Sequence, residues 1–297
     1  MSLKIFITGA NGFIGKNILE LLSNKYSFYS PTHKDLDLLN YSQVESFFRN
    51  NRLFDVVIHT AIVGGNRKVP NTPEVAITNL QMFFNIARNR QYFKKMIHFG
   101  SGIEFGKEKP IRKVKEIDFD LRVPCDGFGL YKYICAKYIE NSDKIINLRL
   151  FGVYGKHEDW TIRFISNAIC KSIFGLPITI SQNVYFDYLC IDDFVKILDY
   201  FINHKVRFKT YNVGIGKSIN LLTIARKINR LAPKKSKIII RYKGLGNEYT
   251  CDNSRLLSEI GKFKFTDFDR TLSDLYDWYL TNKKKIRKQE LYDDHFN

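Results

Sequence analysis

A glycine-rich turn near the amino terminus constrains the fold of this chain more than any other feature. Residues 4–8 are a short β-branched and aromatic run typical of a strand, and the turn Gly9-Ala10-Asn11-Gly12-Phe13-Ile14-Gly15 follows it. Glycines at this spacing let the chain turn tightly, let a pyrophosphate approach the amides of a helix amino terminus, and let that helix pack on the strand. A GxxGxxG turn between a strand and a helix therefore predicts a dinucleotide site. The residues of this site would be Gly9, Asn11, Gly12, Phe13, Ile14 and Gly15.

Strand-like and helix-like segments alternate through about the first two-thirds of the chain. The predicted strands are 4–8, 27–30, 56–60, 95–99, 145–150 and 210–213. The predicted helices are 15–23, 41–49, 74–89 and 129–141. This alternation is typical of a parallel sheet with helices on both faces. We therefore expect an α/β fold with a Rossmann-type doubly wound sheet in residues 1–155, joined by segments from 184–215, and a smaller substrate-binding lobe in 156–297.

Composition and charge narrow the class of protein further. The chain has 297 residues, of which 44% are hydrophobic, so it can bury a sizeable core, which excludes a disordered protein. It carries 47 Lys+Arg against 30 Asp+Glu, a formal net charge of +17. The lysines are spread along the chain and do not alternate with aromatic residues as in a base-stacking motif. We therefore expect no nucleic-acid partner.

The cysteines and the chain start bear on the cellular compartment. Five cysteines are scattered at positions 125, 135, 170, 190 and 251, without CxxC or Cys/His spacing. They indicate neither a disulfide framework nor a metal site. The first residues do not resemble a signal peptide, and no apolar run is long enough to span a bilayer. We expect a cytoplasmic protein with reduced thiols, no metal and no membrane partner.

The tip of the second predicted strand bears on which nicotinamide cofactor would bind. An acidic residue at this tip binds the ribose 2′-hydroxyl of NAD. Here His33 and Lys34 instead offer positive charge to a 2′-phosphate, so NADP is favoured over NAD. The alternative is that Lys34 is one more surface lysine in a lysine-rich chain. Asp37 and Leu38 would lie beside the adenine.

Several segments together carry a resemblance to a known family. They are residues 8–15, 37–40, 59–61, 101–106, 148–155, 186–193 and 212–214. With them the chain resembles the extended short-chain dehydrogenase/reductases, the NAD-dependent epimerase/dehydratase family that modifies nucleotide sugars. Residues 33–40 and 62–66 are most similar to GDP-fucose synthase within that family. The resemblance implies a nucleotide-diphospho-sugar substrate, cofactor contacts from Thr60 and Ala61, and a homodimer formed through helices at 77–89 and 129–141.

The family's catalytic residues are a Ser or Thr, a Tyr, and a Lys four residues after the Tyr. The resemblance places the serine at Ser101, where it would orient a sugar carbonyl or hydroxyl. The family's tyrosine position falls on Phe128, and Lys132 would bind the nicotinamide ribose. Tyr133 and Lys137 have the same spacing, but five residues along a helix rotate a side chain by about 500° and shift it by about 7.5 Å. We therefore assign Phe128 and Lys132.

Phenylalanine at position 128 keeps the shape of tyrosine and loses its titratable proton. An engineered Tyr→Phe change that traps a substrate complex is the first explanation. The alternative is a natural variant that uses Tyr131 or bound water as the acid. Since a positioned acid contributes about 10²–10⁴-fold to a rate, we expect Phe128→Tyr to raise turnover strongly, and an unchanged rate would contradict the assignment.

The residues that follow Ser101 limit the reaction that the resemblance implies. Family dehydratases carry an Asp-Glu pair where this chain has Gly102 and Ile103. GDP-fucose synthase epimerises with a Cys at the position of Ile103 and a His that falls near Thr161. Neither Ile nor Thr can exchange a carbon-bound proton. What remains is NADPH-dependent reduction of the C4 ketone of a nucleotide-diphospho-4-keto-sugar, without 3,5-epimerase activity, in the synthesis of surface-polysaccharide sugars.

Two other functions stay open at this point. A nucleotide-sugar 4-epimerase with retained NAD would use the same residues. A non-catalytic NADP-binding protein is consistent with the loss of the tyrosine at position 128. For the substrate diphosphate the best clamps are Arg163 and Arg255, with Tyr185 as a stacking residue. Each of these three can equally be an ordinary surface or core side chain.

Overall fold

The computed structural model describes residues 2–66 and 68–292. Its strands are β1 (Lys4–Thr8), β2 (Ser27–Tyr29), β3 (Phe54–His59), β4 (Phe93–Ser101), β5 (Ile111–Val114), β6 (Ile145–Leu150), β7 (Gly152–Tyr154), β8 (Ile178–Asn183), β9 (Tyr185–Cys190), β10 (Thr210–Val213), β11 (Ser218–Asn220), β12 (Ile238–Leu245) and β13 (Tyr249–Cys251). Its α-helices are α1 (Phe13–Leu22), α2 (Tyr41–Asn51), α3 (Pro73–Ala87), α4 (Gly127–Glu140), α5 (Phe164–Ile173), α6 (Ile191–Asn203), α7 (Leu221–Leu231), α8 (Ser254–Ile260) and α9 (Phe268–Thr281).

The main sheet of the described residues has six parallel strands in the order β10-β6-β4-β3-β1-β2. The chain runs outward from β1 to β2 and then returns to the other side of β1, where β3, β4, β6 and β10 follow in sequence. This reversal opens a crevice at the carboxyl ends of β1 and β3, which is where doubly wound sheets bind ligands. The predicted α/β Rossmann-type fold is confirmed, and all six predicted strands belong to this sheet.

Helices cover both faces of the main sheet. Side chains of β1 alternate between the two faces, so Ile5 and Ile7 pack with α1 and α6, whereas Phe6 packs with α2, α3 and α4. Helix α4 begins at Gly127, two residues before the predicted start, because Asp126 caps it by accepting a hydrogen bond from the amide of Gly129. Phe128 therefore lies in the first turn of α4.

A smaller lobe is built mostly from the second half of the chain. Its core lies between α5, α7, α9 and β8. Its sheet has the order β11-β9-β13-β5, with β7 also paired to β9, and β12 pairs separately with β8. The two lobes do not divide at residue 155. Strand β5 precedes this residue but belongs to the sheet of the smaller lobe, and β10 follows it but belongs to the main sheet. Of the segment 156–297 that we predicted as this lobe, residues 293–297 lie outside the described residues.

The described residues, 2–66 and 68–292, contain neither a membrane-spanning helix nor a metal-binding cluster. No helix in these ranges is both long and apolar enough to cross a bilayer. The same ranges contain no group of three or more His, Cys, Asp or Glu side chains arranged to hold a metal ion.

Candidate active site

The glycine turn packs directly against the end of β3. Gly9 has φ +68°, and a Cβ there would lie 2.6 Å from the amide nitrogen of Ala61 and 2.7 Å from Oγ1 of Thr60. The Thr60 hydroxyl in turn donates to the carbonyl oxygen of Thr8 at 2.7 Å. Only glycine fits at position 9, because φ is positive there and because a Cβ would collide with Thr60 and Ala61. The turn and the residues after β3 thus form one edge of the crevice.

The amino terminus of α1 opens into this crevice. A Cβ on Gly15 would lie 2.4 Å from the carbonyl oxygen of Gly9, so helix and turn touch without side chains between them. The helix begins after Gly12 without a side-chain cap, and no acidic residue lies in its first turn. Uncapped amides and the positive end of the helix dipole attract an anion. These residues, with Asn11, Phe13 and Ile14, therefore fit the pyrophosphate of a dinucleotide.

The turn after β2 exposes its two cationic candidates. His33 and Lys34 are both exposed. The carboxylate of Asp35 accepts hydrogen bonds from the amide and hydroxyl of Thr32, and the carboxylate of Asp37 accepts from the amide of Leu39. Both acids are thus engaged by their own turn, while Leu38 is buried in the core. Asp35 is exposed as well, so this turn presents His33 and Lys34 to solvent beside one carboxylate that is already hydrogen-bonded to Thr32.

Ser101 is held by a buried ion pair. It ends β4, and its amide donates to Oε1 of Glu104 at 2.9 Å. The other oxygen of Glu104 accepts from Nε of Arg149 at 2.6 Å, and both side chains are almost completely buried. A buried pair of this kind is fully hydrogen-bonded and stiff. Sequence reasoning assigned no role to Glu104 or Arg149, although both lie in segments that carried the resemblance.

The Ser101 side chain has a partner from the small lobe. Its Oγ lies 3.1 Å from the hydroxyl oxygen of Tyr249, and both residues are half-buried. Nothing in the local sequence around Tyr249 indicates this contact. It exists because β13 joins β9 and β5 in the small lobe, which closes over the end of β4.

Phe128 lies in the crevice under the loop that follows β3. Its side chain is 7% exposed. A Cβ on Gly65 would lie 2.4 Å from Cζ of Phe128 and 2.8 Å from each Cε, so Gly65 sits over the face of the ring near its tip. Gly65 does not cover the space beyond Cζ, into which the hydroxyl of a tyrosine would extend.

Lys132 points into the molecule beside Phe128. It is 5% exposed, and its ammonium donates to the carbonyl oxygen of Phe99 and lies 3.4 Å from the hydroxyl of Tyr131. Burial lowers the pKa of Lys132 to about 8. Two buried imidazoles lie nearby, and burial together with the Lys132 charge lowers the pKa of His59 to about 3. The pocket therefore tolerates little additional positive charge.

Two of the three tyrosines of α4, Tyr131 and Tyr133, have different surroundings. Tyr131 is fully buried, packs edge-on against His98 and Phe128, and burial raises the pKa of its phenol well above the usual value. Tyr133 donates to Asp120 at the surface, and Lys137 pairs with the same carboxylate at 3.0 Å. The structure thus places the Tyr133–Lys137 pair away from Ser101 and Phe128.

The candidate substrate residues do not all converge. Arg163 precedes α5, and its guanidinium donates to the carbonyl oxygen of Gly65 at 3.1 Å, which places it beside the loop over Phe128. Arg255 instead donates to the carbonyl of Thr210 at 3.2 Å and faces Glu116 at 3.6 Å. Thr210 starts β10, whereas the crevice lies beyond the carboxyl ends of the strands. Tyr185, the first residue of β9, is half-buried.

Comparisons with known proteins agree with this geometry. The family model described as "NAD dependent epimerase/dehydratase family" matches residues 5–214. A curated relative, the GDP-L-colitose synthase of Yersinia pseudotuberculosis, is 25% identical over 306 residues, covering 95% of this chain and 99% of that protein.

Solved structures show the same fold. A GDP-mannoheptose C4 reductase from Campylobacter jejuni with NADP bound superposes with a TM-score of 0.80 at 21% identity, covering 94% of this chain and 98% of that one. A UDP-glucose 4-epimerase from Thermotoga maritima also gives a TM-score of 0.80, at 18% identity, covering 96% of this chain and 100% of that one. The chain belongs to the NAD dependent epimerase/dehydratase family.

Proposed function

We propose that this family member uses NADPH to reduce the C4 ketone of a nucleotide-diphospho-4-keto-sugar. Relatives named as GDP-sugar synthases and structures named as GDP-sugar C4 reductases support an enzyme of the nucleotide-sugar reductase or epimerase type. The surroundings of Ser101 support the more specific proposal, which is reduction at C4. The half-buried Ser101 is held at the edge of the dinucleotide crevice, Gly102 and Ile103 directly after it carry no group that could exchange a carbon-bound proton, and the carboxylate of Glu104 is engaged by Arg149.

The cofactor would be held by the glycine turn and the amino terminus of α1. The exposed His33 and Lys34 support a 2′-phosphate, and so do the similar structures with bound NADP. Thr60 and Ala61, which contact Gly9, would line the same site. When bound, NADPH supplies the hydride. The chain's own residues then need only to orient the sugar carbonyl, exclude water and provide a proton.

Ser101 would donate a hydrogen bond to the carbonyl oxygen and stabilise the alkoxide that develops there. Lys132 would orient the nicotinamide ribose from below. Phe128 fills the place of the family's acid without supplying a proton, so we expect the enzyme to be slow for its family. The expectation is the same whether the phenylalanine is engineered or natural.

The two positions at which the resemblance to GDP-fucose synthase would place epimerisation groups hold Ile103 and Thr161. Ile103 follows Ser101 in a 3₁₀ turn and packs against the core. The Thr161 hydroxyl donates to the carboxylate of Asp159 at 2.5 Å and so belongs to its own turn. These positions support reduction without 3,5-epimerisation, and the product would serve the synthesis of surface-polysaccharide sugars.

The substrate's diphosphate would meet Arg163, which already reaches the loop over Phe128. Tyr185 stays a candidate for stacking. Arg255 is a weaker candidate because its guanidinium is engaged by Thr210 and Glu116. We further propose a homodimer formed through α3 and α4. Ile77 on α3 is 63% exposed, and an apolar side chain on such a helix face is well suited to a partner helix.

The test is a screen of GDP-, CDP-, UDP- and dTDP-linked 4-keto-sugars with NADPH. A reductase oxidises one NADPH per product molecule. A 4-epimerase with retained NAD interconverts two sugars without net loss of reduced-nicotinamide absorbance. A non-catalytic protein binds NADPH but turns over no sugar, either as the native chain or as Phe128→Tyr. The last two results would each overturn the proposal in favour of the alternative named.

A further inference from the structure

The contact between Ser101 and Tyr249 is unexpected, because the two residues are 148 positions apart and lie in different parts of the fold. We propose that Tyr249 acts through Ser101, as a positioning residue whose own proton reprotonates Ser101 after Ser101 has given its proton to the reduced sugar oxygen. It thereby replaces the acid that is missing at position 128. This inference rests on the proposed function, since it names a further participant in the same reduction.

The Tyr249 ring is fixed by aromatic neighbours. Its centroid lies 5.1 Å from that of Phe151 and 5.9 Å from that of Phe186. Such packing leaves the ring little freedom and aims the hydroxyl at the end of β4. The phenol is therefore held in place before any substrate arrives.

Gly102 makes room for the Tyr249 hydroxyl. A Cβ at position 102 would lie 2.7 Å from the Tyr249 oxygen and 2.7 Å from Cε1 of Phe151. Any larger residue directly after Ser101, such as the acid of the family's dehydratases, would displace the phenol. The Tyr249 hydroxyl can therefore lie here only because residue 102 has no side chain.

The hydrogen bonds at Ser101 favour donation by Tyr249. A serine hydroxyl has one proton and accepts two hydrogen bonds. The amide of Ile103 donates to Oγ of Ser101 at 3.4 Å. If Tyr249 donates as well, both acceptor positions are filled, and the Ser101 proton is left for a ligand on the half-exposed side. Burial also raises the pKa of Tyr249, so the phenol keeps its proton at any working pH.

The proposed step balances in atoms and electrons. Hydride adds to the carbonyl carbon, the dihydronicotinamide is oxidised, and the ketone is reduced. The carbonyl π electrons become an alkoxide pair, which takes the proton of Ser101. The proton of Tyr249 then forms a new O–H bond with Ser101 Oγ, and the Tyr249 O–H bond breaks to leave a phenolate. Water then reprotonates the phenolate.

The experiment compares Tyr249→Phe in two backgrounds, the native chain and Phe128→Tyr, with the 4-keto-sugar that gives NADPH oxidation. In the native chain we expect Tyr249→Phe to lower kcat by about 10²-fold with KM changed by less than about threefold. In the Phe128→Tyr background the loss should be less than about threefold, because a second acid is present. Tyr133→Phe, which removes a surface hydroxyl, serves as the matched control and should change neither constant. Thermal unfolding and NADPH affinity, followed by fluorescence, should be the same for Tyr249→Phe and the native chain.

An equal loss in both backgrounds would show that Tyr249 is merely structural and would overturn the inference. An unchanged kcat for Tyr249→Phe in the native chain would also overturn the inference, but it would leave the proposed function intact. Inactivity of both the native chain and Phe128→Tyr towards every 4-keto-sugar would instead contradict the proposed function and the inference together.

Discussion

At the scale of single residues, Lys132 illustrates a conflict between function and stability. Its ammonium is buried beside two neutral imidazoles, and burial lowers its pKa from 10.5 to about 8. Below pH 8 the folded protein must keep this charge in a poorly solvated place. A lysine there is understandable if it serves a ligand, because a neutral side chain would give a more stable fold.

We expect Lys132→Met to raise the free energy of unfolding at pH 7 by about 1–3 kcal/mol. The gain should shrink between pH 8 and 10.5. In that window the folded native protein has released the Lys132 proton while the unfolded chain still holds it, so native stability rises with pH. Urea unfolding at pH 7 and pH 10 measures the effect, with the exposed Lys262→Met as the control. A gain that is absent, or equal at both pH values, would refute this account of Lys132.

The second prediction at this scale concerns position 128. Phe128→Tyr should raise kcat by about 10²-fold, because a phenol would stand beside the carbonyl oxygen, and Gly65 covers the ring face rather than the space beyond its tip. Steady-state NADPH oxidation measures the change. A rate that stays at the native level would mean that Phe128 does not occupy the acid's place.

At the scale of elements, the loop between β3 and α3 controls the position of Phe128. It passes through two glycines with positive φ, and the second lies directly on the ring. The carbonyl of that glycine also accepts the hydrogen bond from Arg163, so this loop connects the ring to the start of α5. The loop is therefore one of the places where the two lobes meet near the site, the Ser101–Tyr249 contact being another.

Gly65→Ala tests this element. Gly175 has nearly the same φ, +67° against +70°, but nothing lies within 4 Å of a Cβ there, so Gly175→Ala isolates the backbone strain. We expect both variants to lose about 1–2 kcal/mol of stability from strain and Gly65→Ala to lose about 1–3 kcal/mol more from the clash with Phe128. Chemical unfolding of both variants measures the difference. Equal losses would show that the loop does not pack on the ring.

The elements also show which features of the fold and of the site can be predicted from the sequence. The glycine turn and the six predicted strands were correct, because the tight turn and the buried runs are local patterns. The Tyr249–Ser101 contact could not be predicted, since it depends on how β13 pairs within the small lobe. The position of Arg255 at the start of β10, away from the crevice, could not be predicted either, because it also depends on long-range packing. Local patterns indicate elements, whereas the partners of a side chain depend on long-range packing.

At the scale of the whole molecule, charge and assembly matter. The net charge of +17 suits the approach of the two polyanions that we propose as ligands. Assembly concerns the faces of α3 and α4 that do not contact the sheet. On α4, Tyr138 packs edge-on against Phe84 of α3, so the two helices present one partly apolar surface.

We expect the protein to be a dimer in solution, and Ile77→Lys to convert it to a monomer, because a buried unpaired ammonium is costly at a helix interface. Light scattering after size-exclusion chromatography measures the mass. Leu245→Lys, at a 61% exposed residue of β12 in the small lobe, is the control and should remain a dimer. A monomeric native protein would refute the proposed interface.

Net reduction at C4 of a nucleotide-bound 4-keto-sugar requires that the hydride of NADPH end on that carbon, which isotope labelling detects. The protein, at high concentration to offset its slow turnover, is incubated with the 4-keto-sugar and NADPH deuterated at the transferable position of the dihydronicotinamide. We predict one deuterium at C4 of the sugar for each NADPH oxidised and, in a parallel reaction in D₂O with unlabelled NADPH, no deuterium at C3 or C5. Interconversion of sugars without NADPH oxidation or deuterium transfer, or solvent exchange at C3 or C5, would contradict the account.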